Sequence, residues 1–221
     1  MKSLITLQEI KKSYQIGDQK LDILKGINLE IFEGDFMSIM GQSGSGKSTL
    51  MNIIGMLDNP SSGKYFFGGQ DISDLDIDEQ ALIRRKNIGF IFQSYNLLKR
   101  TKTIEQVMLP LMYQGVGSKE RKERAFQALK KVGLEDKIDS YPNEMSGGQQ
   151  QRVAIARSIV TNPLLLLGDE PTGALDSNTG EEVMEILSNL NKEGKTILII
   201  THAPEVDKYA KKHILIKDGV I

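Results

Sequence analysis

The 221-residue chain has no cysteine, which excludes disulfide bonds and thiolate metal sites, and only two histidines, too few for a histidine-rich metal centre. An excess of one charge is also missing. Its 28 lysines and arginines face 29 aspartates and glutamates, a net charge of −1, so the overall balance offers no electrostatic case for nucleic acid binding. No apolar run approaches the roughly 20 residues that span a bilayer; Leu164 to Leu167 and Ile197 to Ile200 are among the longest. Met1 to Ile10 lacks the apolar core and cleavage site of a secretory signal. The chain is expected to be soluble, compatible with a cytosolic home, and to need a partner for any membrane role. Internal repeats, low-complexity tracts and room for a coiled-coil arm are absent from the sequence.

What is present begins with Gly41-Gln42-Ser43-Gly44-Ser45-Gly46-Lys47-Ser48-Thr49. A strand-like run, Asp35 to Met40, precedes it and the apolar spacing of Leu50 to Gly55 suits a buried helix. Gly-x4-Gly-Lys-Ser between strand and helix is the phosphate-binding loop, against the alternative of a glycine-rich turn with an incidental lysine. Its glycines let backbone N–H groups from Ser43 to Ser48 converge on phosphate oxygens, and the helix dipole points the same way. Lys47 adds a mobile positive charge for the outer phosphates, and the Ser48 hydroxyl is placed to ligate Mg²⁺.

Before the loop, Leu4 to Tyr14 and Gln19 to Glu33 alternate as antiparallel strands around Gly17-Asp18. Tyr14 on such a strand reads first as half-buried packing, with stacking on a purine as the alternative. Lys64 to Phe67 is a short strand. Residues 71 to 86 read as a helix with a solvated face that includes Arg84, Arg85 and Lys86, and Ile88 to Phe92 is a strand ending at Gln93. From Ser94 to Val160 the pattern turns helical, with helices over Thr103 to Gln114 and Ser118 to Val132, as in a helical lobe inserted into an α/β core with Gln93 as hinge.

Ser146-Gly147-Gly148-Gln149 precedes a helix over Gln150 to Val160 and reads equally as a helix cap or as a second anion site. Leu164 to Gly168 is a buried parallel strand that ends in Asp169-Glu170, where such sheets bind ligands. Strand alternation would give these acids different tasks, Asp169 in the Mg²⁺ shell and Glu170 on the attacking water. Ending a strand is the plainer reading of both. A helix spans Asn178 to Asn191, and a second buried strand, Lys195 to Ile200, leads to His202, either a structural histidine or a γ-phosphate contact. His213 to Ile221 reads as strand, turn and strand start around Asp218-Gly219.

In this order the motifs resemble the nucleotide-binding subunit of an ATP-binding cassette (ABC) transporter over essentially the whole chain: Tyr14, Gly41 to Thr49, Gln93, Ser146 to Gln149, Leu164 to Glu170, Ala174-Leu175-Asp176 and His202. Ser146 to Gln149 is the most specific, since other phosphate-loop ATPases lack it. Met145 stands where leucine is usual, and Gly168 where alanine is common. The resemblance implies an α/β fold: a P-loop NTPase core with a mainly parallel central sheet, an N-terminal antiparallel β subdomain and an inserted α-helical subdomain. All of 1–221 would be one domain, with 94–160 helical and 1–93 and 161–221 forming the β subdomain and RecA-like core. Met51 to Asp58, Gly89 to Leu98 and Asp169 to Asp176 resemble in particular the branch of macrolide exporters, the lipoprotein-release ATPase and the cell-division ATPase FtsE.

The resemblance further implies ATP and Mg²⁺ as cofactors and a head-to-tail dimer. Ser146, Gly147, Gly148 and Gln149 of one copy would cover the γ-phosphate held by Lys47 of the other. Tyr14 would stack on adenine, Ser48, Gln93 and Asp169 attend Mg²⁺, Glu170 act as general base, His202 contact the γ-phosphate and Asp176 communicate across the dimer. An integral membrane permease would dock near Tyr95, Asn96, Leu97 and Leu98, placing the protein on the cytoplasmic face of the membrane. Export of a peptide, drug-like compound or lipoprotein is then expected, the alternative being FtsE-like control of an extracellular hydrolase without transport.

Overall fold

The computed structural model describes residues 2–221, and these divide into two compact units, one comprising the chain up to Arg84 with Thr196–Ile221, the other Arg85–Lys195. The first unit opens with β1 (Ser3–Ile16) and β2 (Gln19–Phe32), an antiparallel pair in which Tyr14 opposes Leu21. Ile5, Leu7, Ile10, Leu24, Ile27 and Ile31 of this pair are buried. Next come β3 (Phe36–Met40), α1 (Lys47–Ile54), β4 (Ser62–Phe67), β5 (Gln70–Asp71) and α2 (Ile77–Asn87), which runs across the boundary between the units. β4 pairs with the free side of β1, giving the antiparallel order β2-β1-β4-β5.

Residues 71–76 are not helical, unlike the expectation from sequence. Asp71 is drawn into the sheet opposite Phe66, and its carboxylate then accepts from Ser73 N and Oγ, closing a turn. Asp76 and Glu79 exchange side-chain-to-backbone hydrogen bonds that start α2. Of the basic residues of this helix Arg84 is half-buried and donates to the Met56 carbonyl, while Arg85 and Lys86 are exposed, Arg85 donating to the Tyr113 carbonyl at 2.8 Å.

In the second unit β6 (Ile88–Phe92) is followed by α3 (Thr103–Tyr113), α4 (Ser118–Lys131), α5 (Gly147–Ile159), β7 (Leu165–Asp169) and α6 (Ser177–Lys192). β6 and β7 run parallel, Phe92 opposite Asp169. Leu165, Leu166 and Leu167 are fully buried, as a strand covered on both faces requires. The chain then returns to the first unit through β8 (Thr196–Ile200), α7 (Pro204–Asp207) and β9 (Lys212–Leu215). There β3 takes β8 on one side and β9 on the other, both parallel. Among the described residues no helix is long and apolar enough to cross a membrane.

Candidate active site

The phosphate loop joins the carboxyl end of β3 to the start of α1, the strand–loop–helix order its sequence requires. Gly46 caps α1 with φ 106°, a left-handed conformation that glycine adopts without strain, and no side chain occupies that cap. A Cβ there would lie 2.9 Å from Leu24 Cδ2, and one on Gly41 would lie 2.3 Å from the Ile216 carbonyl. Lys47 Nζ donates to the carbonyls of Gly41 (2.8 Å) and Gln42 (2.9 Å), so its ammonium lies along the loop. The buried Ser45 hydroxyl has no hydrogen-bond partner among the described residues. An uncapped helix start, a loop in which Gly41 and Gly46 leave no room for a Cβ and a cation folded onto it form a cradle suited to a polyphosphate.

The same unit carries Tyr14, which is 40% exposed. Its hydroxyl donates to Asp58 Oδ2 at 2.7 Å. The bond to Asp58, with some burial, pushes the Tyr14 phenol above its usual range. Burial works against the charge of Asp58, yet hydrogen bonds from Lys12 and Tyr14 overcome it and hold the carboxyl below the ordinary range. A carboxyl so depressed adds stability above its unfolded pKa and loses that contribution only as pH falls through the lower folded value. The pair is therefore intact near neutrality. His202, exposed, follows β8 in this unit too.

The second unit gathers the remaining candidates in two groups. Gln93 follows directly on Phe92, whose partner is Asp169, so Gln93, Asp169 and Glu170 share the carboxyl end of one parallel pair. A Cβ on Gly173 would fall 2.7 Å from the Gln93 side-chain nitrogen, which places that amide against the loop that follows Glu170. Glu170 itself lies past the end of β7 with φ 46°. The Glu170 carbonyl accepts from Gly173 N at 3.0 Å, and Gln151, fully buried, donates to the Pro171 carbonyl at 2.5 Å.

The other group surrounds the start of α5, which begins at Gly147, three residues earlier than its sequence indicates. Ser146 and Gln149 form a capping box, Ser146 Oγ accepting from Gln149 N (3.3 Å) and Gln149 Oε1 from Ser146 N (3.0 Å). The cap reading is thus realised, and its two bonds use the amides of Ser146 and Gln149, not those of Gly147 and Gly148. Asp176 caps α6, accepting from Thr179 N (3.1 Å) and Oγ1 (2.7 Å), bonds that hold its carboxyl below the usual range. Thr179 in turn packs on α5: a Cβ on Gly148 would sit 2.2 Å from its Cγ2. Gly148→Ala is therefore expected to cost about 1–3 kcal/mol of stability, read as a lower urea midpoint at unchanged slope.

Tyr95 and Asn96 both have positive φ, 57° and 51°, and both carbonyls accept from Arg157 of α5, at 2.9 and 2.7 Å. Burial pushes the Arg157 guanidinium below its usual range. The Tyr95 hydroxyl lies over Gly147, 2.8 Å from where a Cβ would be. Segment 95–98 is thereby tied to the helix that begins with the Ser-Gly-Gly element. Sequence reasoning missed Lys12, Asp58, Thr179 and Arg157. Of these only Asp58 stood inside a stretch that carried the family resemblance, Met51 to Asp58.

Residues 24–173 match the protein family described as ABC transporter. Over 99% of its length the chain is 52% identical to an uncharacterized ABC transporter ATP-binding protein, YknY of Bacillus subtilis, and covers 95% of it. It is 49% identical, over its whole length, to the macrolide export ATP-binding/permease protein MacB of Escherichia coli K12, but spans only 34% of that longer chain. MJ0796, a bacterial ABC transporter cassette solved as a dimer, matches with a TM-score of 0.90 at 46% identity, over 99% of this chain and 96% of that one. The same cassette in a dimeric post-hydrolysis state bound to ADP and Pi also gives 0.90, at 45% identity over the same shares. The chain belongs to the ABC transporter family and is an ATP-binding, ATP-hydrolysing cassette of the α/β class, most similar in these comparisons to proteins of the macrolide-exporter branch.

Proposed function

We propose that this cassette dimerises head to tail around ATP and drives a membrane permease that exports a peptide, drug-like compound or lipoprotein. One observation carries the reading: a sequence about half identical to this one makes up about a third of chains named for macrolide export and permease activity, and almost the whole of YknY. A permease supplied outside these 221 residues follows from that likeness. It would hold the cassette at the cytoplasmic face of the membrane. The likeness to relatives named for macrolide export favours export over mechanical control of a hydrolase.

In the proposed cycle Tyr14 stacks on adenine, the 41–49 loop grips the phosphates and Lys47 neutralises the outer ones. Ser48, Gln93 and Asp169 are oxygen donors of the kind Mg²⁺ prefers, and would hold it. The ion supplies charge neutralisation on the transferring phosphoryl group. Glu170 takes a proton from the attacking water, His202 contacts the γ-phosphate, and the Gly147 and Gly148 amides of the partner copy complete the site. Turnover then depends on closure, because phosphoryl transfer relies on positioning and charge stabilisation. Asp176 would report closure across the dimer through the α6 cap it forms.

The permease is proposed to dock at Tyr95, Asn96, Leu97 and Leu98. Leu98 is 52% exposed, and next to it Lys99, Arg100, Tyr141 and Pro142 line a cavity of about 760 Å³. Arg157 supports a mechanical role for this segment, since movement at 95–96 would reach α5 directly. The test is co-purification from membranes. The tagged chain is expected to bring down a permease, and Leu98→Asp to lower the recovered amount about tenfold, the effect of some 1.4 kcal/mol lost at the interface. Equal recovery with Leu98→Asp would exclude the groove, and no permease with either form would exclude the transporter reading.

A further inference from the structure

Asp58 has no task in the nucleotide site so far described, yet its two carboxylate oxygens are both engaged near the base end of that site. Oδ1 accepts from Lys12 Nζ at 2.6 Å and Oδ2 from the Tyr14 hydroxyl at 2.7 Å. Lys12 stands two residues before Tyr14 on β1, so the two side chains leave the same face of the strand. Its ammonium donates also to the Asn59 carbonyl at 2.7 Å and lies 4.9 Å from the centroid of the Tyr14 ring. The Lys12 side chain is only 11% exposed, so this cation is held and not waving in solvent.

The phenol is thereby fastened at the far end of α1. Asp58 lies in the segment just after that helix, its N–H donating to the Asn52 carbonyl of α1 at 3.3 Å, and Asn59 beside it is fixed by Gln80 Nε2 at 2.7 Å. With an ammonium over one side of its ring, Tyr14 offers the other for stacking. Because α1 starts at the phosphate loop, whatever holds Tyr14 to α1 also sets the spacing between a stacked base and the phosphates.

We infer that Lys12 and Asp58 form a positioning clamp that presents the Tyr14 ring to the nucleobase at a fixed distance from the phosphate loop. The clamp rests on the reading of Tyr14 as the base platform, and acts through Tyr14 without touching the nucleotide. It therefore affects ligands that have a base and is indifferent to those that lack one.

The experiment measures KM and kcat for ATP, and the inhibition constant of inorganic tripolyphosphate, for the full chain and for Lys12→Met, Asp58→Asn, Asp58→Glu and Tyr14→Ala. Lys12→Met and Asp58→Asn are expected to raise KM for ATP about three- to tenfold, a part of what one base stack contributes. Their kcat should stay within about twofold of the parent, the pattern of lost uniform binding. Tripolyphosphate inhibition should not change, Asp58→Glu should recover part of the loss, and Tyr14→Ala should raise KM at least as much. Equal weakening of ATP and tripolyphosphate would overturn the clamp by showing general damage to the loop. An unchanged KM in Lys12→Met and Asp58→Asn beside a raised KM in Tyr14→Ala would overturn the clamp alone, and an unchanged KM in all of them would overturn the stacking role of Tyr14 with it.

Discussion

Glu170→Gln is expected to lower steady-state ATP turnover by about 10²- to 10⁴-fold, the range that a positioned general base contributes. The exchange is nearly isosteric and removes only the ability to take a proton. The turn that aims the side chain is held by backbone, through φ 46° at Glu170 and the Gly173 N–H on its carbonyl, so the amide should keep the carboxylate's position. The phosphate loop is untouched, and ATP affinity should stay within about threefold of the parent, as for a change confined to the transition state. Phosphate-release assays and fluorescent-nucleotide titration measure the two quantities. Turnover at the parent's rate would remove Glu170 from its role.

The second large effect is expected at Lys47. Its ammonium makes two hydrogen bonds to loop carbonyls, at 2.8 and 2.9 Å, and these hold it along the loop proposed to take the outer phosphates. Lys47→Ala removes that charge. Hydrogen bonds to charged groups are each worth about 1.5–3 kcal/mol, so ATP affinity should fall by about 10- to 100-fold. The glycine conformations that shape the loop do not depend on this side chain, and the melting temperature without nucleotide should move by no more than about 2 °C. Unchanged affinity in a calorimetric titration would contradict the phosphate-loop assignment.

How much of this was legible in sequence depended on whether the determining contacts were local. The phosphate loop could be read because glycine, lysine and serine at fixed spacing have tasks that only a strand–loop–helix satisfies, and β3 and α1 flank it as expected. β7 and β8 announced themselves as short apolar runs without polar interruption, which buried parallel strands require. The early start of α5 was missed because two glycines argue against a helix by propensity, whereas the Ser146–Gln149 box pins the first turn around them. At residues 71–76 acid-rich composition suggested a helical face, but pairing with β4 claimed the segment first.

The Lys12–Asp58–Tyr14 cluster joins residues 44 to 46 positions apart, and Arg157 reaches carbonyls 61 and 62 positions away. A lysine on a strand or an arginine on a helix carries no local sign of such a partner. Only the folded sheet shows which charge lies beside which ring. The division of labour is visible in the same terms: Tyr14, Lys47, Ser48 and His202 belong to one unit, and Gln93, the Ser-Gly-Gly element, Asp169, Glu170 and Asp176 to the other.

Shared nucleotide between two copies is the claim on which the proposed cycle depends, and the mass in solution of Glu170→Gln, with and without ATP, tests it most directly. Light scattering should report one chain without nucleotide, two chains when ATP is added, and a return to one chain when ADP replaces ATP. A single-chain mass at saturating ATP, together with parent activity per molecule that does not change on dilution, would contradict it.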